Sequence, residues 1–219
     1  MSAVDNAELQ ERLRTTRLVA ILRGTDVDAT VAAARTLLQV GVLTLEIALT
    51  LQDAEEAIAQ IVQDAPATAL VGAGTVLDEA DVERAVSAGA QFMVTPTLSA
   101  SVPYAVSQGI GVLAGVYTPT EIQRGHDLGS AAVKLFPASA LGSGFIRAVR
   151  DPFPQARIIP VGGVRVDTVA EYLAAGAFGI GVGGPLVGDA TAPGGDLEAL
   201  AVRASAFVQA CAMDDPRLP

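Results

Sequence analysis

Short apolar runs alternate with longer stretches of mixed polarity along almost the whole chain. The runs are rich in Val, Ile and Leu, and they occupy residues 18–22, 43–49, 70–74, 92–95, 111–115, 131–136, 157–161 and 179–182. Such runs are typical of parallel strands that are buried on both faces. The stretches between them, such as 28–40, 53–63, 78–88 and 167–175, are amphipathic, and several begin near an Asp or Ser. The pattern therefore predicts eight strands, with helices between them whose first turns are capped by those side chains.

Eight such units in 219 residues predict an α/β fold, a single-domain (β/α)8 barrel (TIM barrel) near the short end of its usual range of about 200–250 residues. An open doubly wound sheet is the alternative, but the G-x-G-x-x-G turn expected after its first strand does not follow residue 22. We expect one domain over 1–219. Residues 1–16 are predicted to contain a helix that caps the bottom of the barrel, and residues 214–219 to form a loose tail.

Composition narrows the range of functions. The chain is 51% hydrophobic, which excludes a disordered coil, and its net charge of −10 argues against nucleic acid and anionic membranes as partners. No apolar run reaches transmembrane length, and the N-terminus lacks a signal-peptide core, so we expect a cytoplasmic protein. With one cysteine (Cys211) and one histidine (His126), we expect no internal disulfide and no metal site.

The only lysine of the chain, Lys134, lies in an apolar strand (AAVKLF) near its C-terminal end. Alternation places it opposite Val133 and Leu135, so it points into the barrel mouth if those two face the helices. A desolvated amine there can attack a carbonyl to form a Schiff base. The structural alternative is a lysine that simply reaches solvent from the strand tip.

Glu46 occupies the face of its strand opposite Leu45 and Ile47. A carboxylate inside a strand is unfavourable unless it is paired or functional, so Glu46 is a candidate general acid/base beside Lys134. The alternative is a structural ion pair with Arg23, which ends the first strand. Arg23 itself fits a carboxylate or phosphate of a ligand, or a salt bridge with Glu46 or Asp26.

Glycine pairs end the last two strands, Gly162-Gly163 and Gly183-Gly184. Backbone N–H groups at these positions form the common phosphate site of such barrels, although tight turns alone would also explain the pairs. Thr75, after the third strand, is a candidate to bind a carboxylate or to cap the next helix. We interpret His126 as a surface histidine and Cys211 as a packing residue.

Together these segments resemble the 2-keto-3-deoxy-6-phosphogluconate (KDPG) aldolase family. Lys134-Leu135-Phe136-Pro137-Ala138 is similar to the KFFPAE-type segment of that family. The other matching segments follow in the family's order over residues 17–187: Leu45-Glu46, Gly72-Ala73-Gly74-Thr75-Val76, Thr95-Pro96 and Gly162-Gly163.

The resemblance implies a homotrimeric class I aldolase that acts on a small-molecule keto acid and needs no metal or cofactor. It implies that Lys134 forms the Schiff base and that Glu46 is the acid/base carboxylate. Thr75 would contact the pyruvate carboxylate, and Pro96 and Phe136 would line the pocket. The phosphate loop would comprise Gly162, Gly163 and Gly183, with Gly184 directly after them.

Four positions depart from the family pattern. Thr50 stands where the family has an arginine, Val161 replaces the threonine of PTGG, Gly184 replaces a serine, and Ala114-Gly115 replaces Pro-Gly. A sibling branch, the 2-dehydro-3-deoxy-6-phosphogalactonate (KDPGal) aldolases, has segments similar to Ile21-Leu22-Arg23-Gly24 and Val161-Gly162-Gly163-Val164. In that branch Arg23 would make the anion contact, and Val161 would alter the stereochemical preference at C4 of the substrate.

The expected reaction is cleavage of a 2-keto-3-deoxy sugar acid, 6-phosphorylated, to pyruvate and an aldehyde such as glyceraldehyde 3-phosphate. Loss of the serine hydroxyl at Gly184 leaves a shorter substrate, 4-hydroxy-2-oxoglutarate, as an alternative. Two further alternatives use no imine: a phosphate-binding barrel isomerase or transferase, and a non-catalytic sensor of small molecules.

Overall fold

Eight parallel strands follow the eight apolar runs of the sequence in order. The computed structural model describes residues 2–212, so the predicted loose tail, 214–219, lies outside the described residues. The strands are β1 Leu18–Leu22, β2 Thr44–Ala48, β3 Leu70–Gly74, β4 Phe92–Val94, β5 Gly111–Val116, β6 Ala132–Leu135, β7 Ile158–Pro160 and β8 Ile180–Val182.

The strands close into a barrel. Each pairs in parallel with its sequence neighbour from β1 to β7, and β8 pairs with β1. A single parallel bridge between Val161 and Gly181 joins β7 to β8. Gly181 has no side chain to obstruct this approach, since a Cβ there would lie 2.5 Å from Cγ2 of Val161. The (β/α)8 prediction is confirmed. The open doubly wound sheet is excluded because the strands pair in chain order and β8 joins both β1 and the end of β7.

Helices surround the barrel and connect its strands. They are α1 Asn6–Thr16, α2 Val27–Gln39, α3 Ala54–Asp64, α4 Glu79–Ser87, α5 Ser101–Ser107, α6 Pro119–Asp127, α7 Ser143–Arg150, α8 Val169–Ala174, α9 Gly184–Val187 and α10 Leu197–Ala212, with 3-10 turns at Ala138–Ala140 and Val166–Thr168. Asp26 and Asp78 cap α2 and α4 by accepting a backbone N–H of the first turn, as the sequence predicts.

Helix α1 packs against the N-terminal ends of the strands. Leu9 and Leu13 are fully buried and belong to the same apolar cluster as Phe92 and Leu113 of the barrel interior. A Cβ on Gly111, the first residue of β5, would lie 2.9 Å from Leu9. Because α1 covers this end of the barrel, the accessible end is the one where the strands terminate.

A larger apolar cluster fills the layer between the outer face of the sheet and the helices. Val133 and Leu135 belong to it, which leaves the side chain between them, Lys134, inside the barrel. Within the described residues, no helix is long and apolar enough to span a membrane.

Candidate active site

Lys134 and Glu46 meet inside the barrel. Lys134 lies on β6 and Glu46 on β2, 88 residues apart in the chain, and Lys134 Nζ donates to Glu46 Oε1 over 3.2 Å. Glu46 is 1% exposed and Lys134 is 6% exposed. Lys134 therefore does not simply reach solvent from a strand tip. A buried pair of this kind depends on both members, because loss of either leaves an unpaired charge in the interior.

Gly74, at the end of β3, leaves the space that the Glu46 carboxylate occupies. Glu46 pairs in register with Gly72 on β3, and the next inward position is Gly74. A Cβ at Gly74 would lie 2.2 Å from Glu46 Oε1. Residues without side chains beside Glu46 thus allow a charged carboxylate to lie among the strands of a closed barrel.

A pocket of about 500 Å³ opens above Lys134, at the C-terminal ends of the strands. Every sequence-predicted site residue except Glu46 lines it: Arg23, Thr75, Pro96, Lys134, Phe136, Val161, Gly162, Gly163, Gly183 and Gly184. Glu46 contacts Lys134 but does not line the pocket. The lysine amine consequently lies between the carboxylate and the open space in which a ligand would bind.

Arg23 is exposed at the pocket wall and makes no salt bridge within residues 2–212. Neither structural pair considered for it forms. Glu46 is paired in register with Ile21. Arg23 lies two residues further along the chain, just beyond the end of β1. The Asp26 carboxylate instead accepts the backbone N–H of Ala29 at the start of α2. The Arg23 guanidinium is left available for an anion.

Thr75 directly follows β3 and adopts the left-handed conformation, with φ of 63°. This conformation is unusual for a β-branched residue and is strained. Thr75 does not cap the next helix, since Asp78 does so. Its hydroxyl makes no hydrogen bond within the described chain, and the residue lines the pocket.

The two glycine pairs present backbone N–H groups to the pocket. Gly162 and Gly163 both have positive φ, at 90° and 82°, so they form a tight turn that disfavours other residues. A Cβ on Gly163 would lie 2.5 Å from Cβ of Ser139. Across the structure from 2 to 212, the N–H groups of both pairs donate to no protein acceptor. They are free to bind an anionic ligand.

Apolar side chains form the remaining wall of the pocket. Phe136 is 46% exposed, whereas Val161 is buried and packs against β8. Pro96 approaches β5 closely, because a Cβ on Gly115 would lie 2.2 Å from the Pro96 carbonyl carbon. The pocket thus has one apolar side and one side rich in free hydrogen-bond donors.

His126 is not the surface histidine that the sequence suggested. It is partly buried at the end of α6, where its Nε2 accepts the backbone N–H of Arg157 over 3.3 Å. Its Nδ1 is buried and has no hydrogen-bond partner among the described residues. Burial, and secondarily the charge of Arg157, lowers the pKa of His126 despite the opposing charge of Asp127.

Cys211 is buried in α10, as predicted, and burial raises the pKa of its thiol to about 12. A thiol of this kind is a packing group rather than a nucleophile. Among residues 2–212 there is no cluster of three or more His, Cys, Asp and Glu side chains that could hold a metal ion.

Five pocket residues were not predicted from the sequence: Ile21, Pro185, Val187, Gly188 and Thr191. Ile21 could have been predicted from the alternation of side chains in a strand, because it lies two residues before Arg23 and faces the same side. The others lie in α9 and the segment after it. Nothing in their sequence pattern indicates that this segment folds back over the barrel mouth.

A family model described as KDPG and KHG aldolase matches residues 9–201. The chain is 38% identical over 171 residues to a probable 2-dehydro-3-deoxy-6-phosphogalactonate aldolase of Rhizobium meliloti (strain 1021), covering 77% of this chain and 81% of the relative. It is 36% identical over 169 residues to a 2-dehydro-3-deoxy-phosphogluconate aldolase of Treponema pallidum (strain Nichols), covering 76% and 79%.

A solved structure described as native KDPGal superposes with a TM-score of 0.82. The two sequences are 34% identical, and the match covers 88% of this chain and 93% of the chain in that structure. The family model spans most of the barrel, and the relatives match most of their own length. The chain therefore belongs to the KDPG and KHG aldolase family and is a carbon–carbon lyase.

Proposed function

We propose that this chain cleaves a 6-phosphorylated 2-keto-3-deoxy sugar acid to pyruvate and an aldehyde such as glyceraldehyde 3-phosphate, through an imine on Lys134. The observation that carries the proposal is the buried contact between Lys134 Nζ and Glu46 Oε1 at the floor of the pocket. An amine that attacks a carbonyl needs a group that moves protons beside it.

The chemistry follows from this pair. The amine adds to the C2 ketone, and loss of water gives an imine, with Glu46 moving protons directly or through a water molecule. The imine accepts electrons from the C3–C4 bond as that bond breaks. The C4 hydroxyl proton passes to Glu46, and the aldehyde leaves. The enamine that remains is protonated at C3, and hydrolysis of the imine returns the amine and releases pyruvate.

The pocket walls supply orientation. Thr75 is assigned to the carboxylate of the pyruvate half, and Pro96 and Phe136 pack against its carbon chain. The free N–H groups of Gly162, Gly163, Gly183 and Gly184, with Arg23, are assigned to the phosphate at the other end. Val161 cannot donate a hydrogen bond to the C4 hydroxyl, so it should alter the stereochemical preference at C4.

The alternatives that use no imine are not favoured. A phosphate-binding isomerase or a sensor has no use for a buried lysine paired with a carboxylate, and such a pair is unfavourable to bury unless it has a role. The shorter substrate, 4-hydroxy-2-oxoglutarate, would use the same imine and leave the glycine pairs unoccupied. Comparing kcat/KM for the two phosphorylated epimers and this acid decides among the three substrates.

The imine is tested by borohydride reduction in the presence of pyruvate, followed by intact mass and peptide mapping. Because Lys134 is the only lysine, an adduct on a lysine identifies it, and the α-amino group maps to a separate peptide. We expect one adduct, on Lys134. Lys134→Met is the matched variant and should give neither adduct nor turnover; turnover retained by this variant, or no adduct on the unaltered protein, would overturn the proposal.

The homotrimer and the cytoplasmic location belong to the same proposal. The trimer rests on the family resemblance. The cytoplasmic location is supported by the similarity of the chain to metabolic aldolases.

A further inference from the structure

Thr191 is a polar residue of the pocket to which the proposed reaction gives no role. It lies between α9 and α10, is 6% exposed and lines the pocket. Its hydroxyl forms no hydrogen bond with any described residue. The oxygen is not among the buried polar atoms without a partner, so it is accessible and can bond a ligand that enters the pocket.

The segment that carries Thr191 is held in one conformation. Backbone N–H groups of Ala190, Ala192 and Gly195 donate to carbonyls of the same segment at 2.9–3.2 Å. The Thr191 carbonyl accepts the N–H of Thr25 over 3.3 Å, which joins this segment to the loop after β1. Its side chain therefore lies at a fixed place in the wall, and orienting it on ligand binding has a low entropic cost.

The lining of the same pocket includes several hydrogen-bond donors. Arg23 is a cation with no salt bridge in the described chain, and Gly183 and Gly184 present unpaired N–H groups. Among the described residues, no Asp or Glu lines the pocket. A wall with a free cation, free N–H groups and a free hydroxyl matches an anion with several acceptor oxygens.

We propose that Thr191 is a specificity-determining residue whose hydroxyl donates a hydrogen bond to the terminal phosphate of the keto-acid substrate. It would supply, from the segment after α9, the side-chain hydroxyl that position 184 lacks because Gly184 stands there. This inference rests on the proposed function, since it takes the phosphorylated substrate as the ligand.

The test compares Thr191→Val, which keeps the shape and removes the hydroxyl, with Thr191→Ser, which keeps the hydroxyl. We expect Thr191→Val to raise KM for the phosphorylated substrate about 10- to 100-fold, with kcat changed by less than about threefold. The inhibition constant of inorganic phosphate should rise in parallel. Thr191→Ser should stay within about threefold of the unaltered protein, and KM for a non-phosphorylated analogue should be the same in all three.

Pyruvate trapping separates the failure of this inference from failure of the proposed function. No adduct on the unaltered protein would overturn the aldolase proposal itself. Normal trapping with an unchanged KM in Thr191→Val would overturn only the role of Thr191. An equal rise in KM for the phosphorylated and non-phosphorylated substrates would also overturn it, because the effect would then be one of pocket shape. Thermal midpoints of both variants, expected to match the unaltered protein, show that the fold is intact.

Discussion

Gly74 determines whether the Glu46 carboxylate can remain against Lys134. A methyl group there would lie 2.2 Å from Glu46 Oε1, so Gly74→Ala must displace the carboxylate within a packed interior. We expect kcat to fall by about 10²-fold or more, as for other losses of general acid/base catalysis. The strain should also lower the free energy of unfolding by about 1–3 kcal/mol.

The matched control for this change is Gly144→Ala. Gly144 lies in α7, and a Cβ there would meet nothing within 4 Å. Both kcat and the thermal midpoint should be nearly unchanged in this variant. If Gly74→Ala kept full kcat, the position of the carboxylate relative to Lys134 would not limit the reaction.

His126 makes the stability of the protein depend on pH in a predictable direction. The folded state lowers the pKa of His126 below its ordinary value near 6.5, chiefly through burial, so the unfolded chain binds a proton more readily. The free energy of unfolding contributed by this group is therefore complete above pH 6.5. It falls as the pH drops through 6.5 towards the lower pKa of the folded state.

The measurement is the urea midpoint of the unaltered protein and of His126→Gln between pH 5 and pH 8. The difference between the two should shrink towards low pH, because the variant has no proton to gain. Carboxylates titrate in both proteins and cancel from the difference. A difference independent of pH would show that the folded state does not lower the pKa of His126.

A side chain of α10 forms hydrogen bonds with helix α9 at the barrel mouth. Arg203 donates from Nε to the Leu186 carbonyl over 2.7 Å and from Nη2 to the Val187 carbonyl over 3.0 Å. Gly188 leaves room for this guanidinium, since a Cβ there would lie 2.7 Å from Nη2. These contacts fix the short element whose beginning carries Gly184 into the pocket.

Arg203→Met keeps the aliphatic stem and removes both hydrogen bonds. We expect the free energy of unfolding to fall by about 1–3 kcal/mol. KM for the phosphorylated substrate should rise, while pyruvate trapping on Lys134 stays normal. The control is Arg35→Met, which breaks an exposed pair with Asp64 and should change stability by less than about 1 kcal/mol. An unchanged KM in Arg203→Met would mean that α9 holds its place without this anchor.

The strands were predictable from the sequence because a buried parallel strand must be apolar along its whole length. Their ends were less so: the run at 131–136 gives a strand only at Ala132–Leu135. Lys134 and Glu46 stood out because each interrupts such a run with a charge. Their contact joins β6 to β2 across the barrel, and only closure of the barrel brings the two together. An ion pair between Glu46 and Arg23 was an equally good prediction from the sequence. The register of β1 and β2 places Glu46 opposite Ile21, two residues before Arg23.

The role of Thr191 in the pocket could not be predicted from the local sequence pattern. Its position depends on how the segment after α9 packs against the loop after β1, a contact between residues more than 160 positions apart. His126 was assigned to the surface because it lies in a helical segment and not at the end of a strand. The contact of its ring with the Arg157 backbone, 31 residues away, is a property of the assembled fold.

The whole molecule is expected to act as a trimer. Light scattering on the intact protein should give three times the chain mass of 22.2 kDa, without dependence on concentration in the micromolar range. A mass of one chain would contradict the trimer and leave the imine chemistry unaffected.

Thr75 shows that the protein has not been optimised for stability alone. Its left-handed backbone would be adopted more readily by glycine or asparagine. A library selected only for heat resistance should therefore replace this threonine, whereas one selected for turnover should retain it. If the two selections favour different residues at position 75, the threonine is retained for its contact with the ligand and not for its contribution to folding. This comparison needs no substrate analogue.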